Sequence, residues 1–424
     1  MKPLRLAWIP ILLLPGILCA VPAAAEPPLG ATVEGLLAYA RDRNPEYAAM
    51  RDEAAAAGEK VYPAGAWPDP MFKVELQDIT NYGTEAAPSL NPSRIGATKY
   101  TLSQSIPFWG KRDLRREAAS ADAEQAQGRA AATWAELAMR IKTAFAQYYL
   151  ATRNEELARE IIDLVARLER VAQVRYAGGV APQQDVIRAQ VELTTMRVDV
   201  LGLQSERRQW QARLNALLAR NASAPLAAPE RLRPLPPPAQ LDEAALADRV
   251  RARNPQLFAD DARIRAAEKN RDLAERAGYP DVNVGVSPIQ MGTRVNMWEL
   301  MLEVSIPLQR TTLRSQVGEA QAMLSAARSR KEATANQLLG ELAENLAGLA
   351  AAREIGIVTG GSLLPQADVT LQAALAGYEN GKVDFATLLD AQRQIRRAKQ
   401  DRAKAEAEAA MRLAEIERLV GEDL

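Results

Sequence analysis

The 424 residues carry 53 basic and 53 acidic side chains, no histidine and a single cysteine, Cys19. That inventory excludes His-based triads, Cys/His zinc sites and disulfides, and a zero net charge excludes the basic footprint of a nucleic-acid binder. Aromatics make up only 5% while Ala, Leu, Arg, Glu and Gln crowd the chain, a composition that points to long helices.

Residues 1–25 read as a secretory leader. Lys2 and Arg5 form the basic start, an apolar run broken by Pro10 and Pro15 follows, and Ala23-Ala24-Ala25 offers a small-residue cleavage site. Cys19 lies inside this segment with Leu18 before it, so cleavage after Ala25 is preferred to lipidation at Cys19. With Cys19 in the leader, thiol nucleophiles are excluded as well.

The rest of the chain is two copies of one unit. The segment "RDRNPEYAAMRDEAAAAGEK" at 41–60 matches "RARNPQLFADDARIRAAEKN" at 251–270, Tyr62-Pro63 matches Tyr279-Pro280, and Ser105-Ile106-Pro107 matches Ser305-Ile306-Pro307. Further on, "RYAGGVAPQQDVIRAQ" at 175–190 matches "GYENGKVDFATLLDAQ" at 377–392. The first repeat is expected over 26–220, a proline-rich connector over 221–244, and the second repeat over 245–424. Copy one carries an insertion, "TNYGTEAAPSLNPS" at 80–93, before its Ser-Ile-Pro.

In each copy the period switches twice. Strands are expected at about 70–80 and 94–107, then at 280–289 and 296–307. Phe72, Val74 and Leu76 face one way, as do Tyr100, Leu102 and Ile106, Val282, Val284 and Val286, and the set Trp298, Leu300, Leu302, Val304 and Ile306. Gln104 interrupts the apolar row. After each Ser-Ile-Pro the period becomes helical, and long antiparallel hairpins are expected over about 111–220 and 311–420. Leu157, Ile161, Leu164 and Leu168 fall at heptad spacing on the first of them.

Two-faced strands of about ten residues fit tilted membrane strands, and fit equally an ordinary sheet on a soluble core. Export, duplication and the lack of an apolar helix to cover the sheet favour the membrane. Four strands cannot close a barrel, because the smallest have eight, and an eight-stranded interior is filled by side chains. Three chains would give twelve strands and enclose water.

The duplicated framework, "SQSIPFWGKR" at the strand-to-helix junction and "YAGGVAPQQDVIRAQ" at the hairpin turn resemble the TolC-like outer membrane factor family. "WPDPMFKVELQDI" and "SIPFWGKRDLRREA" lean towards its heavy-metal efflux branch. The resemblance implies an α+β membrane protein: a homotrimer with a twelve-stranded β-barrel in the outer membrane and a helical barrel through the periplasm. It implies no enzyme activity and no cofactor. Its expected partners are a periplasmic adaptor, an inner-membrane resistance-nodulation-division or ABC pump, and outer-membrane lipid. The alternatives are the outer duct of a type I secretion system and, in a different class, a soluble periplasmic coiled-coil scaffold.

The same resemblance places Gly179, Val180, Ala181, Gly381, Lys382 and Val383 at adaptor-contacting hairpin tips. Asp185 and Asp390 stand where the family often carries acids near a constriction, with Thr387 where some members have another acid and Asp384 as its substitute or as a helix cap. Pro107, Trp109, Gly110 and Pro307 mark the barrel-to-helix junctions. Met71, Met291, Met297 and Met301 are soft thioethers of the kind that hold Cu(I), but none clusters at a tip and no metal site is assigned to them.

Overall fold

The computed structural model describes residues 29–80 and 88–424. The leader expected over 1–25 and residues 81–87 of the first-repeat insertion lie outside them. The chain is mostly helical with one small antiparallel sheet.

The first repeat opens with α1 (Val33–Arg43), α2 (Pro45–Glu59) and the short α3 (Val61–Gly65), then β1 (Met71–Gln77) and β2 (Ala97–Ile106). The hairpin of α4 (Lys111–Ala177) and α5 (Gln183–Leu217) completes it. The second repeat runs α6 (Glu243–Arg253), α7 (Pro255–Arg276), β3 (Asp281–Met291), β4 (Arg294–Ser305), α8 (Arg310–Val358), α9 (Leu364–Glu379) and α10 (Phe385–Val420). At 67 residues α4 is about 100 Å long.

The repeated Asn-Pro has a mechanical explanation. Proline at the first helical position gives up an N–H that has no helical partner there, and the asparagine caps the helix that follows. Asn44 accepts from Tyr47 N at 3.1 Å and Asn254 from Leu257 N at 3.1 Å. Each amide also donates to the end of its own repeat's return helix, Asn44 Nδ2 to Leu217 O at 2.7 Å and Asn254 Nδ2 to Leu419 O at 2.8 Å. One residue thus starts a helix and ties it to the hairpin's far leg.

The equivalence of Tyr62-Pro63 with Tyr279-Pro280 fails. Tyr62 and Pro63 sit inside α3, whereas Tyr279-Pro280 lead directly into β3. Trp67-Pro68-Asp69, just before β1, is the true counterpart of Tyr279-Pro280-Asp281. A shared Tyr-Pro pair misled because the aromatic has changed to tryptophan at the working position.

The sheet has the order β1-β2-β3-β4. Its register places Phe72, Leu102, Val286 and Leu300 in one row across all four strands. That row is open to the surroundings, from 39% exposure at Val286 to 80% at Leu300. The other face is polar: Thr101 and Ser287 share a hydrogen bond at 2.9 Å, and Lys99 pairs with Glu299. Gln104, the break in the apolar row, donates to Pro68 O at 2.6 Å.

Four helical layers pack side by side below. α4 lies between α5 and α10, and α10 in turn packs against α8 and α9. Nearer the sheet, α7 wedges between α4 and α8 while α2 and α3 lie along α4. Around the hairpin middles, α1 caps Leu137, Ile141, Phe145 and Tyr148, and α6 caps Leu342, Leu349, Ile416 and Leu419. The long descending helix of the second repeat is interrupted by a wider turn, Thr359–Leu363, just ahead of Pro365. A helix-interior proline removes one hydrogen bond and crowds the preceding turn, which a π turn accommodates. Among the described residues no helix is long and apolar enough to cross a membrane.

Candidate functional site

At the sheet-to-helix junction β2 ends at Ile106, and Pro107, which cannot donate to a ladder, closes the pairing. Pro107 is buried, Trp109 stands 86% exposed, and Phe108 stacks on Tyr279 with centroids 4.5 Å apart. Gly110 takes a left-handed conformation, φ +82, to start α4. The junction is pinned across repeats: Phe108 N donates to Asp281 Oδ1 at 2.7 Å, and buried Lys111 donates to Asp281 Oδ1 and to Tyr279 O, each at 2.8 Å. Lys111 had only the signature of a helix-opening charge in the sequence. Its partners lie in the other repeat, beyond any local pattern.

The second junction is built differently. Pro307 is half-buried, and α8 starts after Gln309 with no left-handed residue. Substituting Gly110 therefore tests an asymmetric hinge. A Cβ there would collide with the Arg276 guanidinium, in a backbone region that costs L residues about 1–2 kcal/mol. Gly110→Ala is expected to lower the temperature at which the detergent-solubilised protein unfolds, and Gln309→Ala to leave it unchanged. Equal behaviour of the two would remove the asymmetry.

The hairpin turns share one construction. Gly179 (φ +73) and Gly381 (φ +71) supply the left-handed residue that ends each descending helix. Val180 N then closes on Arg175 O at 2.9 Å, and Lys382 N on Gly377 O at 2.8 Å. Val180 and Lys382 are exposed, while Ala181 and Val383 are half-buried.

The acids fall into different environments. Asp185 is buried and accepts a hydrogen bond from the Tyr378 hydroxyl at 3.2 Å. It therefore joins the two hairpins instead of standing as a free inward carboxylate. Tyr378 packs edge-on against Phe385 at 5.3 Å, and the Arg175 guanidinium lies 4.8 Å from its ring centroid while donating to Tyr378 O and Glu379 O. Burial, reinforced by the Asp185 charge, pushes the Tyr378 phenol up to about 12. Asp384 caps α10, accepting from Thr387 N at 2.9 Å and Thr387 Oγ1 at 2.6 Å, and these bonds hold its carboxyl below the usual range. Both side chains are committed to that cap. Asp390 remains exposed, with Arg393 Nη1 3.7 Å away and itself bonded to Glu192 of α5 at 2.7 Å.

Sequence reasoning found Asp185 but not Tyr378 as its partner, although the tyrosine lies in the matched segment 377–392. The conspicuous signal was an aromatic in an otherwise small-residue turn.

The chain thus combines an edge-open sheet, apolar on one face, with two helical hairpins whose longest helix runs about 100 Å. The chain belongs to the outer membrane efflux protein family, whose sequence profile matches residues 36–220 and 246–422. It is an outer-membrane channel component of a tripartite efflux system, not an enzyme. Solved channels share the fold at low identity. VceC from Vibrio cholerae superposes with a TM-score of 0.76 at 18% identity, covering 92% of this chain and 96% of that one. CusC gives 0.78 at 18%, covering 92% of each. CmeC from Campylobacter jejuni gives 0.75 at 13%, covering 92% and 85%. No curated protein sequence matches the chain.

Proposed function

We propose that three copies of this chain close into a passive exit duct, with a twelve-stranded barrel in the outer membrane and a helical tunnel below it. The observation that carries the reading is that both layers stop at open edges. Among the described residues β1 and β4 each have one unpaired side, and α5, packed chiefly on α4, and the α8–α9 leg, packed chiefly on α10 and α7, form the two ends of the helical layer. The exposed apolar row of the sheet suits lipid, and its polar face suits a water-filled lumen. A soluble scaffold would leave that row in water.

In this reading the repeat division is functional: 26–220 and 245–424 each supply one strand hairpin and one helical hairpin, with the 221–244 connector between them. The tips Gly179-Val180-Ala181 and Gly381-Lys382-Val383 meet a periplasmic adaptor, and a resistance-nodulation-division pump supplies the cargo. The sequence resemblance favours heavy-metal cations over drugs. A chain with no histidine and a single cysteine leaves selection of a soft metal to pump and adaptor. Adjacent genes encoding an ABC transporter would instead favour the type I secretion alternative.

Three copies of exposed Asp390 would form a ring attractive to cations at the narrow end. Asp390→Ala trimers in planar bilayers are expected to lose cation preference. Unchanged selectivity and conductance would remove Asp390 from the constriction. The duct itself predicts a trimer that fractionates with the outer membrane and falls apart on heating in detergent. Extraction without detergent would overturn it.

A further inference from the structure

The boundary between the two repeats inside one chain is a template for the boundary between copies. β2 of the first repeat pairs with β3 of the second, with Ile106 opposite Val282, Ser105 opposite Asn283 and Ser103 opposite Gly285. Ser305-Ile306-Pro307 stands in the second repeat where Ser105-Ile106-Pro107 stands in the first. Pro68-Asp69 precedes β1 as Pro280-Asp281 precedes β3. Carrying the observed register through these two matches pairs β4 with β1 of the next copy, residue by residue.

We infer that this pairing sets Glu303 opposite the next copy's Lys73 on the polar face, and hands the Leu308 N–H to the next copy's Asp69. The inference rests on the three-copy reading and adds its register. Three observations agree with it. The apolar faces join, Val304 meeting Phe72 and Leu302 meeting Val74, all exposed in the isolated chain. Glu303 and Lys73 are exposed at opposite edges of the sheet, Lys73 with only its own-strand neighbour Glu75 as ion-pair partner. Asp69 is exposed and has no hydrogen bond or ion pair among the described residues. Its counterpart Asp281 already accepts from Phe108 N, the counterpart of Leu308 N.

Other registers are worse on the same grounds. A one-residue slip turns every side chain to the wrong face. A two-residue slip in one direction puts Glu303 against Glu75, and like charges directly opposed are destabilising. A two-residue slip the other way sets Glu303 against Met71 and Lys73 against Met301, so neither charge gains a partner across the new seam.

Cysteine pairs read the register directly, because β1 and β4 of one chain are separated by two strands, about 14 Å, too far for a bond within the chain. In a Cys19→Ser background, Lys73→Cys with Glu303→Cys is expected to give covalent trimers on oxidation. Glu75→Cys with Glu303→Cys is expected to remain uncrosslinked. The reverse preference in protein that still forms heat-sensitive trimers would overturn the register and leave the duct standing. No oligomer from either pair or from the unsubstituted protein would overturn the assembly and the register together. Charge reversal is an independent arm: Lys73→Glu should lower the temperature of trimer dissociation, and adding Glu303→Lys should restore it. Failure of the double variant to recover would also overturn the register.

Discussion

Glu417→Ala is expected to destabilise the folded chain by about 3–5 kcal/mol, the range for removing one member of a buried ion pair. Glu417 is almost fully buried near the end of α10. Its carboxylate receives Lys142 Nζ from α4 at 2.6 Å, the Arg233 guanidinium from the connector, and Leu424 N at 3.0 Å. One acid therefore fastens both repeats, the connector and the last residues at a single level. Removing it leaves Lys142, itself only 10% exposed, with Asp423 as its remaining anion. Chemical unfolding in detergent should show the loss, with Glu417→Gln milder because the amide keeps an acceptor for Leu424 N. A loss below about 1 kcal/mol would show the cluster to be dispensable. Acid should loosen the same level. Burial works to raise the Asp423 carboxyl, but Lys142 and Arg233 outweigh it and hold the group below its ordinary value. Its contribution is therefore complete above about pH 4 and is lost as pH falls through the depressed value.

The second large effect belongs to the hairpin tips. Tyr378→Phe is expected to raise single-channel conductance by increasing the open population about tenfold or more, since a hydrogen bond to a charged group contributes about 1.5–3 kcal/mol. Among the described residues the phenol is the one side-chain group that bonds the second tip to Asp185 of the first, and without it Asp185 is left buried with an unmet acceptor. Asp185→Asn keeps an acceptor of the same shape without its charge and should give a smaller rise than Tyr378→Phe. Unchanged conductance in Tyr378→Phe would mean that the tips do not constrict the path. The contact should be insensitive to pH through the physiological range. The folded phenol titrates above its ordinary value, so its stabilisation is present below about pH 10 and fades only as pH climbs towards about 12.

What could be read from residues alone was whatever has a local period. Phe72, Val74 and Leu76 alternate because one face of the sheet is apolar, and Leu157, Ile161 and Leu168 repeat because a helix seam must be filled; all three of the latter are buried. Gly179 and Gly381 announced turns for an equally local reason. Contacts between distant residues were silent. The 193 residues between Tyr378 and Asp185 leave no pattern, and Glu417 looks like any solvated acid until Lys142 and Arg233 arrive from elsewhere. Asp384 was readable as a cap, and the geometry commits it to that role; Thr387, expected only as the stand-in for an acid, is its donor. The interruption at Thr359–Leu363 has a local cause in Pro365, but the helical period runs through it unchanged in kind.

The outward apolar run of β4, from Trp298 to Ile306, also measures a membrane. Eight steps of about 3.4 Å give about 27 Å of strand, and a tilt of about 40° reduces that to about 21 Å along the bilayer normal. Trp298 at one end and the exposed Trp109 beyond the other would sit at the two headgroup levels. A hydrocarbon layer of about 30 Å would overreach this band by several ångströms, and each costs a fraction of a kcal/mol. In the proposed barrel a band this short would match a bilayer thinner than average and would be mismatched in a thicker one.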